Sequence, residues 1–424
     1  MSQAFEAIEI CAGMGGQALG LEKAGFTHRL AIELDANASH TLRQNLPEEV
    51  VLEGDVADPS VWNPHEHGPG GEVYEKRGQL ALLAGGVPCP PFTVAGKQLG
   101  ANDERDLFAW AVEQVNIIKP RAVLLENVRG LSMPRFAGYR QHVLDRLAEF
   151  GYVAEWRLLH ASGFGVPQLR PRFVLIALEE EDAKYFSWPQ ESEAELTVGE
   201  ALKDLMGARG WKGVDDWARK ADKIAPTIVG GSKKHGGADL GPTRAKRAWA
   251  ELGVDAMGVA DLAPGPDDEF KVGPKLTCEM VARIQGWSGE YQWEFTGRKT
   301  SRYRQIGNAF PPPVARALGE AIILAFKQEK LAEERTAANH DAVYRALRNA
   351  DDFIEAEEII KSADLRIDVV ELERRIELLR RDFDIDIKTS NGTKIYRLGN
   401  FKAFIGQEDH ERHANFLKNR ARIS

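Results

Sequence analysis

The chain has 424 residues, 43% of them hydrophobic and 28% charged, the mixture of a globular protein with room for two or three domains. A net charge of −9 by itself argues against a nucleic-acid partner, and three scattered cysteines (Cys11, Cys89, Cys278) without metal-ligand spacing argue against a disulfide framework or thiolate metal centre. No apolar run approaches the ~20 residues of a membrane span, and the first nine residues lack a secretory pattern, so the expectation is a cytoplasmic protein with no membrane and no metal.

The first 180 residues alternate strand and helix signals, the pattern of a parallel sheet covered on both faces. Strands are expected at 7–11, 28–33, 50–52, 80–84, 122–125, 153–159 and 173–178. Helices are expected at 17–24, 36–45, 106–118 and 136–150. After the acidic run at 179–182 the alternation ends. Residues 183 to about 300 hold glycine clusters and six tryptophans, which reads as a loop-rich insertion. Helix returns at 312–327, and a charged linker follows at 328–339. A separate unit at 340–400 shows helices at 340–349, 354–363 and 369–381, then strands at 384–388 and 394–398. The strands are joined through Asn391-Gly392, a hairpin turn signal. Three helices and a hairpin describe a small winged-helix-like α+β unit, with a tail at 401–424.

The chemistry-bearing residues fall at the predicted strand ends. Strand one opens into Gly13-Met14-Gly15-Gly16 at a helix start, where glycines let a ligand approach the backbone. Glu33 stands at the next strand end, placed for ribose hydroxyls, and Asp55 at the third, placed for an adenine amino group. The spacing is not that of a dinucleotide loop, which favours S-adenosylmethionine over NAD(P). Strand four ends in Gly85-Gly86-Val87-Pro88-Cys89-Pro90, a thiol held between prolines; on its own it reads equally as a small buried hydrophobe. Strand five ends in Glu126-Asn127-Val128. This carboxylate is either a proton carrier or the cap of the Arg129-Gly130 turn. In Gln168-Leu169-Arg170-Pro171-Arg172 the arginines alternate on an extended segment, so both point the same way as donors. Residues 207–247 carry ten basic against four acidic side chains, either a polyanion footprint or a solvated surface.

In this order the motifs resemble the DNA (cytosine-5)-methyltransferase family. They are Cys11-Ala12-Gly13-Met14-Gly15-Gly16, Glu33, Asp55, Pro88-Cys89, Glu126-Asn127-Val128, Gln168-x-Arg170-x-Arg172, Leu276-Thr277-x-Glu279 with Arg283-x-Gln285-Gly286, and Gly307-Asn308. The resemblance spans residues 8 to 319. It implies a Rossmann-like catalytic domain (1–182 plus 302–327), discontinuous around a target-recognition domain (183–301). It also implies an S-adenosylmethionine site formed by Cys11, Ala12, Gly13, Met14, Gly15, Gly16, Glu33, Asp55, Pro88 and Asn308.

By the same resemblance, Cys89 adds to C6 of a flipped-out cytosine and C5 takes the methyl group. Glu126 holds the N3/N4 edge, Arg172 contacts O2, and Arg170 supports the site or the DNA backbone. Gln168, Thr227, Lys233, Lys234, Arg244, Lys246 and Arg247 are the expected duplex-DNA contacts. Pro90 departs from the family, which usually carries glutamine there. The implied enzyme is the modification partner of a restriction enzyme, linked to it genetically rather than physically. Methylation of tRNA cytosine and a catalytically silent DNA-binding regulator are the alternatives.

Overall fold

The computed structural model describes residues 5–87, 105–230, 238–289, 291–329, 332–333, 338–390 and 392–402. The expected site residues Pro88, Cys89, Lys233 and Lys234 lie outside them. The N-terminal elements are β1 (Phe5–Ile10), α1 (Gly16–Ala24), β2 (Phe26–Glu33), α2 (Ala36–Asn45), β3 (Val51–Glu53) and β4 (Leu82–Gly85). They are followed by α3 (Arg105–Ile118), β5 (Ala122–Val128), α4 (Ala137–Glu149), β6 (Tyr152–His160) and β7 (Pro171–Glu179).

The seven strands form one sheet in the order β3-β2-β1-β4-β5-β7-β6. The first five are parallel. All four residues of β4 are buried, as are the last four of β1, because helices cover both faces. Winding proceeds outward from β1 to β3 and then resumes at β4 on the other side of β1. The carboxyl ends of β1 and β4 therefore flank the crevice in which open α/β sheets bind ligands.

One edge departs from the expected parallel pattern: β7 runs antiparallel to both β5 and β6. Only residues 161–170 join β6 to β7, too few for the crossover of a dozen or more residues that a parallel pair requires. The antiparallel pairing brings the start of β7 beside the end of β5.

After α5 (Glu180–Ala183) come α6 (Val198–Met206), α7 (Val214–Lys220), α8 (Thr243–Glu251), α9 (Cys278–Ile284) and α10 (Lys299–Asn308), joined by irregular chain. Trp217, Trp249, Trp287 and Trp293 are buried there, in a cluster that also takes in Met14, Leu19 and Leu42. The loop-rich region thus shares a core with the first helices of the sheet domain. Then α11 (Pro312–Phe326) returns to α1, and a Cβ on Gly20 would stand 2.4 Å from the Pro312 carbonyl oxygen. Glycine is what lets these helices touch. The stretch 299–326 passes a length-and-hydropathy test for a membrane span, but 72% of its apolar window is buried in the protein core.

The C-terminal unit comprises α12 (Ala342–Asn349), β8 (Ile354–Glu355), α13 (Ala356–Ser362), α14 (Val369–Leu379), β9 (Phe383–Ser390) and β10 (Thr393–Phe401). The helix expected from residue 354 starts two residues later. Ile354 and Glu355 instead pair with Tyr396 and Ile395 of β10, which gives that strand a hydrogen-bonded neighbour on its second edge.

Candidate active site

The link from β1 to α1 turns through three left-handed residues, Cys11 (φ +51°), Gly13 (+59°) and Gly15 (+96°). The glycines serve different purposes. A Cβ on Gly13 would meet nothing within 4 Å, so this backbone is bare toward the crevice. A Cβ on Gly15 would lie 2.3 Å from the Trp293 ring, and one on Gly16 would lie 2.3 Å from the Phe310 carbonyl oxygen. At Gly15 and Gly16 the missing side chain leaves room for protein from elsewhere in the fold. Ala12 and Met14 are buried; the Ala12 N–H donates to the Ile32 carbonyl, and the Met14 carbonyl accepts from Trp293 Nε1 at 3.1 Å.

Glu33 is locked to this turn. Its Oε2 accepts from the Gly13 N–H and its Oε1 from the Asp35 N–H, both at 2.7 Å. Burial pushes the Glu33 carboxyl upward, and the two amide hydrogen bonds oppose that shift. At the end of β3 the buried Asp55 accepts from the Ala57 N–H at 3.0 Å. The open Gly13 backbone and two strand-end carboxylates suit a cofactor that offers hydroxyl and amino donors.

Beside this crevice, Val128 of β5 faces Arg172 of β7, two positions from Glu126. Glu126 Oε1 and Arg172 Nε approach to 2.6 Å, an ion pair whose N–H is not aligned as a hydrogen bond. The two side chains keep only 13% and 12% exposure. A Cβ on Gly86 would stand 3.5 Å from Glu126 Oε2, so the bare backbone after β4 adjoins this carboxylate. Desolvation pushes the Glu126 pKa up, while Arg172 and then Arg170 pull it down. A carboxyl so balanced can accept or share a proton with a ring nitrogen.

Arg170 does not join that pair. It is 1% exposed and forks into three carbonyls: Nη1 donates to Ile228 (2.8 Å), and Nη2 to Gly307 (2.8 Å) and Ala309 (2.9 Å). Gln168, expected on DNA, is fully buried. Its Nε2 donates to the Ile284 carbonyl and Gln285 Oε1, and its Oε1 accepts from the Ile228 N–H. Alternation set Arg170 and Arg172 on one face, but Ile228 of the insertion and Gly307 and Ala309 beyond it close over Arg170 and take its donors, while Gln168 is held inside the protein. Gln285, not singled out as a site residue, completes the clamp by donating to the carbonyls of Ile306 and Gly307. Its sequence signal was its place in the Arg283-x-Gln285-Gly286 motif, to which no role was assigned.

Thr227 Oγ1 donates to the Leu169 carbonyl, so this hydroxyl also braces the clamp. Asn308 ends α10 against Gly230, where a Cβ would lie 2.4 Å from Asn308 Oδ1. On α8, Lys246 is held by Asp239 at 2.8 Å. Arg244 and Arg247 are exposed, with no carboxylate partner among the described residues.

Residues 5–324 match the family model for C-5 cytosine-specific DNA methylases. The chain is 64% identical to the Type II methyltransferase M.NaeI of Lentzea aerocolonigenes over the full length of both. It is 47% identical to M.NgoMIV of Neisseria gonorrhoeae, over 77% of this chain and 99% of that one. It is 32% identical to M.Eco47II of Escherichia coli, over 75% of this chain and 79% of that one. The family model stops short of α12, whereas the match to M.NaeI runs through the C-terminal unit.

Proposed function

The chain belongs to the C-5 cytosine-specific DNA methylase family and is a Type II methyltransferase of the restriction-modification kind, and we propose that it uses S-adenosylmethionine and a covalent Cys89 adduct to methylate cytosine in a specific duplex sequence. The observation that carries this reading is the Glu126–Arg172 pair standing at the strand ends beside the bare Gly13 and Gly86 backbones. Around Gly13, the loop 11–16 with Glu33 and Asp55 would hold the cofactor, and Asn308 would close its edge. When bound, the cofactor supplies an electrophilic methyl carbon.

The protein's own groups do the rest. Carbon C5 of cytosine is a weak nucleophile, and addition of the Cys89 sulfur to C6 divides one difficult step into two. The reaction needs the thiolate, and cationic charge near such a thiol would lower its pKa from the ordinary ~8.5. As the S–C6 bond forms, the ring gains electron density at C5, and Glu126 holds the N3/N4 edge while Arg172 donates to O2. Once C5 has taken the methyl group, loss of its proton to a base with cleavage of the S–C6 bond restores the aromatic ring and releases the Cys89 thiolate. Because C6 is stacked within the duplex, the base must leave the helix first.

Residues 183–301 form the target-recognition region in this reading, with Arg244, Arg247, Lys233 and Lys234 as candidate phosphate or guanine contacts. The test is incubation with duplex DNA and methyl-labelled S-adenosylmethionine, scoring 5-methylcytosine. Cys89→Ala should bind DNA and cofactor but transfer no label; an active Cys89→Ala enzyme would remove the nucleophile assignment.

A further inference from the structure

The C-terminal unit has the outline of a DNA-reading winged helix, but most cations of its α14 helix and hairpin are held by carboxylates of the same unit. Arg374 and Arg375 of α14 are paired with Glu371, and Arg380 just beyond is paired with Glu377. In the hairpin, Lys394 is held by Glu373 and Arg397 by Asp386. Cations neutralised on their own surface offer no phosphate-binding stripe.

The apolar side of the unit is seated on α4. A Cβ on Gly138 would lie 2.1 Å from Leu379 Cδ2, so the bare backbone of α4 receives this side chain of α14. The His142 ring centres 4.3 Å from Phe401, and its Nδ1 lies 2.9 Å from the Tyr344 hydroxyl. Arg348 binds Asp145 at the rim. One apolar core runs from the sheet into the unit without a break.

From this seam two chains of contact reach the Glu126–Arg172 pair. The first is a column of rings: Phe401 to Tyr139 (5.8 Å), Tyr139 to Phe108 (6.5 Å), Phe108 to Trp156 (5.5 Å) and Trp156 to Phe173 (4.9 Å), the last two pairs stacked. Phe173 adjoins Arg172. The second is Arg140 of α4, which donates to the carbonyls of Leu131 (2.7 Å) and Met133 (2.9 Å), in the segment directly following Glu126-Asn127-Val128.

We propose that the C-terminal unit is a positioning element for the catalytic pair, bracing α4 and the ring column so that Glu126 and Arg172 hold the target base, and that it takes no part in reading DNA. The proposal rests on the assignment of Glu126 and Arg172 to the base. Packed side chains have discrete arrangements, and a displacement of ~1 Å transmitted from outside the site is enough to cost a large factor in rate.

The test uses the full chain with Phe401→Leu, Phe401→Tyr, Leu379→Val and the exposed double change Arg374→Gln with Arg380→Gln. The readouts are kcat, KM for DNA, and DNA affinity across a salt series. Phe401→Leu should lower kcat about ten-fold while KM for DNA stays within about two-fold, and Phe401→Tyr, which keeps the ring, should restore kcat. Leu379→Val carries the same expectation at lower amplitude should Phe401→Leu fail to fold. The arginine double variant should keep both DNA affinity and its salt dependence. Unchanged kcat in a folded seam variant, a rise confined to KM, or weakened DNA binding by the arginine variant would each overturn the proposal. Full activity in Glu126→Gln would instead remove the base-contact assignment, whatever the seam variants show.

Discussion

Replacing Arg170 by methionine separates the structural from the DNA-binding reading of this arginine. Methionine keeps the unbranched apolar stem and deletes the guanidinium. Three carbonyls, those of Ile228, Gly307 and Ala309, lose donors at 2.8 to 2.9 Å, and none can turn to water because the side chain is 1% exposed. Hydrogen bonds from a charged donor are worth ~1.5–3 kcal/mol each, so three independent ones would total ~5–9 kcal/mol. Removing a buried charge recovers part of its desolvation cost, which brings the expected net loss to ~3–5 kcal/mol. Arg170→Lys keeps the charge but has no planar fork to span Ile228 and Gly307, and should lose ~2 kcal/mol. Urea unfolding followed by tryptophan fluorescence measures both. A loss below ~1 kcal/mol in Arg170→Met, together with weakened DNA binding, would refute the clamp and return Arg170 to the nucleic-acid interface.

The two loop glycines should respond differently. Gly15→Ala forces a Cβ to 2.3 Å from Trp293 and should lower the melting temperature markedly. Gly13→Ala meets open space, so it should cost only the ~1–2 kcal/mol of a left-handed backbone while weakening S-adenosylmethionine binding in calorimetric titration. Equal melting temperatures for the two variants would contradict this division. Glu126→Gln should reduce kcat about 10²-fold or more at unchanged DNA affinity, as single-turnover methylation would show. His142 is held neutral, its pKa pushed down to about 3 by burial and by Arg348 and Arg146, from an ordinary value of 6.5. The unfolded chain therefore takes up this proton first, so the stabilisation is full above about pH 6.5 and is lost as pH falls toward 3. His142→Gln should flatten the acid limb of melting temperature against pH; coincident limbs would count against it.

The sheet domain was legible because its elements are local. β1, β2, β4 and β5 are short apolar runs ended by turns, and periodicity alone locates them within a few residues. The polar helix α10 was not, since Lys299-Thr300-Ser301-Arg302 carries no apolar stripe and becomes helical against Trp293 and the 227–230 segment. The antiparallel turn of β7 was not legible either, since the expected strands left a thirteen-residue link that could hold a crossover, and only their extension to His160 and from Pro171 shortens it to ten.

The residue types of the site and their order along the chain followed from sequence: an open glycine turn, carboxylates at strand ends, a thiol between prolines and an arginine pair. Tertiary structure decided which of the pair does which job. Alternation placed Arg170 and Arg172 on one face, but Ile228, Gly307 and Ala309 come from segments far along the chain, and their carbonyls claim Arg170 while Glu126 claims Arg172. It likewise assigned Gly13 to the crevice and Gly15 and Gly16 to Trp293 and Phe310. A backbone conformation is encoded locally, whereas the occupant of the space beside it comes from elsewhere in the fold.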